Sequence, residues 1–220
     1  MAATRPKFPG AQEFVPTAPK PTLPLLRAAA QKCRGCDLYQ NATQAVFGEG
    51  PAHARVVLVG EQPGDQEDQK GHPFVGPAGQ LLDSALEQAG IDRAEVYVTN
   101  AVKHFKWAPA PTGKRRIHAK PTAGEVRACR PWLEHELGLL KPRVVVILGA
   151  TAGQSLLGPS FRVGAMRGKP IHDAPFAPCV VATIHPSAVL RAPDDEARDR
   201  EFKALVSDLK LAAKELAKLG

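Results

Sequence analysis

"ARVVLVGEQPGDQED" (Ala54–Asp68) decides the fold class. Its first seven residues form a short apolar run closed by Gly60, the pattern of a strand buried on both faces of a parallel sheet. The chain then turns abruptly to glycine, proline and carboxylates, the composition of a loop leaving the carboxyl end of that strand. Three more stretches read as strands: "EVYVTNAV" (Glu95–Val102), "PRVVVILGA" (Pro142–Ala150) and "CVVATIHP" (Cys179–Pro186). Helical patterns separate them. "PAGQLLDSALEQAGI" (Pro77–Ile91) sets Leu81, Leu82, Leu86 and Ala89 at helical spacing, with Pro77 near its start and Gly90 at its end. "TAGEVRACRPWLEHELGLL" (Thr122–Leu140) opens on the capping-box pair Thr122 and Glu125. "TAGQSLL" is a short helix, and Glu196–Leu219 is amphipathic through Phe202, Leu205, Leu209 and Leu216. Leu23–Gln31 is a further short helix, and there is no internal repeat. The alternation predicts an α/β fold with a mainly parallel, four-stranded sheet covered on both faces.

Ligands of such sheets bind outside the carboxyl ends of the strands. "GEQPGDQED" follows the first strand, Asn100 ends the second and His185 ends the fourth, so these ends are the candidate site.

The 220 residues suggest one domain, residues 23–220, after a Pro-rich, aperiodic segment, 1–22, expected to be a flexible arm. At 44% hydrophobic the chain can bury a full core, and its net charge of +7 favours an anionic partner such as nucleic acid. No apolar run approaches the ~20 residues that span a bilayer. "MAATRPKFPGAQEFVP" lacks the apolar centre of a secretory signal. A soluble, cytoplasmic protein is expected, with no membrane partner and, by default, a monomer. Four cysteines in that setting argue for metal binding or reactivity over a disulfide framework.

Cys33 and Cys36 have the spacing of a ligand pair, able to face one metal or cluster; the alternative is two small core residues in a loop. A thioredoxin-like role would want a preceding strand, which is missing. Cys129 lies in a helix, and Cys179 opens an apolar strand, the common setting of a buried, inert thiol. The simple count gives four thiols for one cluster.

"TGKRRIHAKP" (Thr112–Pro121) runs Lys114, Arg115 and Arg116 into Ile117 and His118. With Lys103, Lys106 and Lys120 nearby, it can be a solvated basic loop, a grip on phosphates, or the carrier of one reactive imidazole.

"GEQPGDQEDQKGHPFVGPAGQLL" (Gly60–Leu82), "VYVTNAVK" (Val96–Lys103), "ACRPWL" (Ala128–Leu133) and "HPSAVLR" (His185–Arg191) resemble the iron–sulfur uracil-DNA glycosylases of family 4, from about Cys33 to the final helix. Gln62 in "GEQPG", together with "KRRIH", resembles the UdgX branch, whose members become covalently linked to the uracil-containing DNA they attack. The resemblance implies a three-layer α/β/α sandwich, a [4Fe-4S] cluster, DNA-repair chemistry inside the cell, and uracil-containing DNA as partner. Cys33, Cys36 and Cys129 match three of the family's ligand positions. At the fourth, where the family carries Cys, this chain has His104; Cys179 matches none. Cys33, Cys36, His104 and Cys129 are therefore the expected ligands, imidazole being an accepted replacement that raises the potential. Cys179 is the alternative fourth ligand.

The resemblance also distributes roles. Asn100 offers a donor and an acceptor that match O4 and N3–H of uracil and mismatch cytosine. Phe74 stacks on the extruded base, and backbone amides around Gln62 to Asp65 can contact it, since Gly64 permits close approach, with Gln62 counted as base-binding. His185 stabilises the charge developing on uracil O2. Glu61 and Asp65 are carboxylates able to orient water, steady the cationic sugar or polarise another base. His118, polarised by Glu61, could capture C1′ in place of water. Lys114, Arg115, Arg116 and Arg191 would hold phosphate or the loop, Arg116 first by carboxylate or phosphate pairing. Single strands are the expected preference, because extruding a base from them costs less. His72, His135 and His172 read as structural or surface residues.

Overall fold

Val56–Gly60 (β1) is buried at all five positions because it lies inside the sheet, flanked on both sides. Val96–Asn100 (β2) and Val144–Leu148 (β5) run parallel to it, and Ala177–Thr183 (β7) runs parallel to β5. The order is β2-β1-β5-β7-β6, with Pro170–Ala174 (β6) antiparallel at the edge. A computed structural model describes residues 8–111, 113 and 115–220. Lys114, expected to contact DNA or the loop, lies outside the described residues.

The four-stranded expectation is thus corrected to five. The extra strand was hidden because β6 is half-exposed along its length, so "PIHDA" carries no apolar run. A second correction concerns the basic insertion, which contains a small antiparallel hairpin: Trp107–Pro109 (β3) pairs with Arg116–His118 (β4).

The two faces of the sheet are covered as the α/β alternation requires. On one, Leu58, Val98, Val146 and Val181 pack under Pro77–Gln88 (α3) and Asp195–Lys218 (α8), through Leu82, Leu86, Leu205 and Leu209. On the other, Val57, Tyr97, Ile147 and Val180 pack under Ala123–Leu140 (α4) and Ala150–Leu157 (α5). The capping box of α4 is present, with Thr122 Oγ1 accepting from the Glu125 amide at 3.3 Å and Glu125 Oε2 accepting from the Thr122 amide at 2.7 Å. Leu23–Ala30 (α1) sits against α4 in a third apolar cluster. Phe8, Ala11 and Val15 are buried in that same cluster. Residues 8–22, read from sequence as part of an arm, therefore carry apolar anchors and a short 3-10 turn docked on α4. Short helices Asp65–Lys70 (α2), Val163–Met166 (α6) and Pro186–Leu190 (α7) complete the chain. Among the described residues, no helix is long and apolar enough to cross a membrane.

Candidate active site

The carboxyl ends of β1, β2, β5 and β7 open into a cavity of about 800 Å³, bordered by Glu61, Phe74, Asn100, His118, His185 and Arg191. Asn100 is the last residue of β2 and is almost fully buried, and its Oδ1 has no hydrogen-bond partner. An acceptor left bare in such a place costs roughly 1–3 kcal/mol unless a ligand satisfies it. Gly60 makes the room: a Cβ there would stand 2.4 Å from Asn100 Oδ1 and 2.7 Å from Phe74 Cζ. Phe74 itself has φ +57°, a backbone state that a bulky residue rarely adopts. Gly79 lets it do so, since a Cβ at that position would lie 1.7 Å from the Phe74 carbonyl oxygen. The Phe74 and His185 rings are close to parallel, 28° apart, with centroids 6.1 Å apart.

His185 caps α7. Its Nδ1 accepts from the Ser187 amide at 3.2 Å and lies 2.8 Å from the Ser187 hydroxyl. With Nδ1 accepting, the neutral ring carries its proton on Nε2. Burial, then Arg191 and His118, push His185 down from 6.5 to about 4, so it stays neutral near pH 7.

Glu61 leaves β1 toward the cavity. Thr151 donates its hydroxyl to Oε2, and Oε1 lies 3.4 Å from His118 Nε2. His118 comes from β4, is half-exposed, and rests 6.2 Å from the Phe105 ring. The hairpin that carries it is tied down at two places. Gln62 Nε2 donates to the carbonyls of Lys106 and Ala119, both at 3.1 Å, and Gln62 Oε1 accepts from the Lys106 amide at 3.1 Å. Arg116 pairs with Asp65 and with buried Asp68, both at 2.6 Å, and lies over the Phe105 and Trp107 rings.

These contacts revise several expectations. Gln62 lines the cavity with its carboxamide committed to the hairpin, which leaves its backbone amide as the group expected to meet a base. Asp65 gives one oxygen to Arg116 and the other to Gln69 at 2.7 Å, and it does not border the cavity. Lys103 is not a loop cation: it is fully buried, donating to Glu136 at 2.5 Å, Thr99 at 2.7 Å and the Asn100 carbonyl at 2.8 Å. Lys106 pairs with Glu125 at 2.8 Å. Arg115 and Lys120 are exposed, and Arg191 is an exposed residue on the cavity rim.

Four contributors escaped the sequence reading. Glu67 bridges two loops of the site, accepting from the Gly64 amide at 3.0 Å and the Gly76 amide at 2.7 Å. Asp68, Glu136 and Thr151 act through partners distant in the chain, so periodicity carried no signal for them.

Cys33, Cys36 and Cys129 lie together in the N-terminal apolar cluster, while Cys179 belongs to the cluster under α8. Each of the three sulfurs receives an N–H: from Trp132 Nε1 to Cys33 at 3.3 Å, from the Leu38 backbone to Cys36, and from the Lys103 backbone to Cys129 at 3.2 Å. Burial pushes the Cys36 thiol up to about 11 and Cys129 up to about 12, so thiolates there need a bound cation. His104 is buried and, like Cys33, borders a cavity of about 540 Å³; burial pushes it down to about 4, leaving a neutral imidazole able to ligate. Three sulfurs with N–H donors, two from backbone amides and one from an indole, and one neutral nitrogen suit an iron–sulfur cluster.

The family model described as the uracil DNA glycosylase superfamily matches residues 47–210. The Type-4 uracil-DNA glycosylase of Thermotoga maritima is 38% identical over 191 residues, spanning 86% of this chain and 92% of its own. Those of Pyrobaculum aerophilum and Archaeoglobus fulgidus are 38% and 37% identical, spanning 76% and 79% of this chain and 84% and 86% of their own.

Proposed function

The chain belongs to the uracil DNA glycosylase superfamily, and on that premise we propose that it excises uracil from DNA and ends joined to the sugar through His118, as UdgX-type enzymes do. The observation that carries this reading is the approach of His118 Nε2 to Glu61 Oε1, 3.4 Å, at the mouth of a cavity floored by the unpartnered Asn100 Oδ1.

An extruded uracil fits with its face on Phe74 and its N3–H toward Asn100 Oδ1, while the carboxamide NH2 meets O4. The C1′–N1 bond breaks and its electron pair leaves on the base. His185 Nε2–H donates to the charge shared with O2. With the His118 proton on Nε2, facing Glu61, Nδ1 keeps a lone pair and forms the new bond to C1′. The Nε2 proton passes to Glu61, leaving a neutral alkylated imidazole with no good leaving group. One protein molecule then acts once. Gln62 and Arg116 position the hairpin, which gives physical content to the joint occurrence of "GEQPG" and "KRRIH". Arg115 and Arg191 are the exposed cations for phosphate, and Asp65 is an anchor of the loop. Single-stranded DNA is the favoured substrate because no pairing has to be broken.

The proposed cluster ligands are Cys33, Cys36, Cys129 and His104. A cluster bound there would offer one-electron chemistry, and the four residues would pin the N-terminal segment to α4 and the end of β2. Visible absorbance of the purified protein should vanish in Cys33→Ala and weaken or shift in His104→Ala, yet persist in Cys179→Ala; loss only in the last would reverse the assignment.

The deciding experiment mixes the protein with a uracil-containing single-stranded oligonucleotide, with a thymine-containing control, and runs a denaturing gel. A uracil-dependent, heat-stable shifted band supports capture. An unshifted strand that breaks in alkali would mean that Glu61 activates water and that the hairpin only grips DNA.

A further inference from the structure

Beneath the opposite end of the sheet, His172, Cys179 and Glu215 bring an imidazole nitrogen, a thiol sulfur and a carboxylate oxygen within 4.8 Å of one another. Three elements contribute. His172 and Cys179 are directly opposed residues of the antiparallel pair β6 and β7, and Glu215 projects from the last turns of α8. Cys179 is fully buried and Glu215 is 4% exposed, while His172 is exposed. An imidazole, a thiol and a carboxylate brought this close from two strands and a helix are a donor set that one divalent cation can bridge.

We propose that His172, Cys179 and Glu215 form a zinc site that staples the edge strand β6 and the C-terminal helix α8 to the centre of the sheet. One sulfur, one nitrogen and one oxygen are ligands that Zn²⁺ accepts in tetrahedral geometry, with water in the fourth position. At zinc bond lengths neighbouring donors stand roughly 3.5 Å apart, so the side chains close by about 1 Å through their own torsions. Binding exchanges the thiol proton for the metal: Zn²⁺ and the neutral thiol give a zinc thiolate and one proton released to buffer. Thiolate and carboxylate then balance the charge of the ion. Lys218 holds Glu215 Oε1 at 2.5 Å, which leaves Oε2 for the metal. The exposed imidazole provides the route in. This site is remote from uracil chemistry: Cys179 pairs with Val144 at the start of β5, and about 13 Å of strand separates it from Thr183, before His185.

The test uses the purified full chain after treatment with a chelator that leaves its visible absorbance intact. Titration with Zn²⁺ followed by calorimetry, and with Co²⁺ followed by absorbance, should give one ion per chain, a thiolate-to-cobalt charge-transfer band and a raised Tm. His172→Ala, at an exposed position that leaves the core intact, should weaken binding by about tenfold or more without altering iron content or uracil-dependent cross-linking. Cys179→Ser should remove the cobalt band. Absence of binding by the parent protein overturns the proposal. So does zinc that binds His172→Ala as tightly as the parent, which would assign the metal to Cys33, Cys36 and Cys129.

Discussion

The floor of the cavity and the hairpin above it are built by opposite means. Asn100, Phe74 and His185 sit on strand ends and tight loops whose backbones are locked by buried neighbours: Gly60 and Gly79 beneath Phe74, and the Lys103–Glu136 pair beneath Asn100. His118 rides on two three-residue strands outside the sheet, held by the Gln62 carboxamide and the Arg116 guanidinium. In the proposed mechanism the floor would supply recognition and charge stabilisation, which need rigid placement before the base arrives, and the hairpin would supply the group that distinguishes capture from hydrolysis.

Removing the imidazole should divide the two regions completely. His118→Ala is expected to abolish the gel-stable cross-link while uracil-DNA affinity is retained; with water admitted, release of free uracil over several turnovers should appear. A variant that still cross-links would take His118 out of the mechanism. Damage to the floor comes next in size. His185→Ala or Asn100→Ala should slow single-turnover cross-linking about 10²–10³-fold, the usual cost of one donor aimed at developing charge, with the residual product still joined to protein. Should either variant instead turn over by hydrolysis, floor and hairpin would not be separable. Loosening the hairpin ranks third. Arg116→Ala should slow cross-linking about tenfold to a hundredfold, as small misplacements of a reacting group do, and raise the share of free uracil. Unchanged partition between cross-link and release would deny Arg116 its positioning role.

The same contrast explains what could be read in the chain. Asn100 and His185 stand at strand ends, and an apolar run closed by a polar residue marks such an end without any knowledge of tertiary structure. Lys103 looked like a cation of the basic insertion because its partner, Glu136, lies one helix away; nothing in local periodicity announces a buried ion pair. Asp65 and Gln62 were legible as site-proximal, but which group each would satisfy depended on where the hairpin folds back. Residues 8–22 carry three apolar anchors among prolines, too irregular for either period, yet they close a cluster around the cysteines. Fold class follows from repeating local patterns; the wiring of the site follows from single long-range contacts.

The smallest expected effect concerns protons, and it probes how closed the floor is. His185 is held down from 6.5 to about 4 by burial, Arg191 and His118. As pH falls through 6.5 the unfolded chain takes a proton on this residue and the folded chain does not, so unfolding gains protons and stability drops. The contribution is complete above 6.5 and is lost progressively toward about 4. His185→Gln has no such proton to take up. Tm measured from pH 7.5 to 4.5 should therefore fall more steeply for the parent than for the variant, and subtracting the two curves cancels the shared groups that do not interact with His185. Parallel curves would mean that solvent reaches His185 freely in the folded protein. The floor would then lack the dry, preset character that separates it from the hairpin, and recognition would have to be assembled by the incoming DNA.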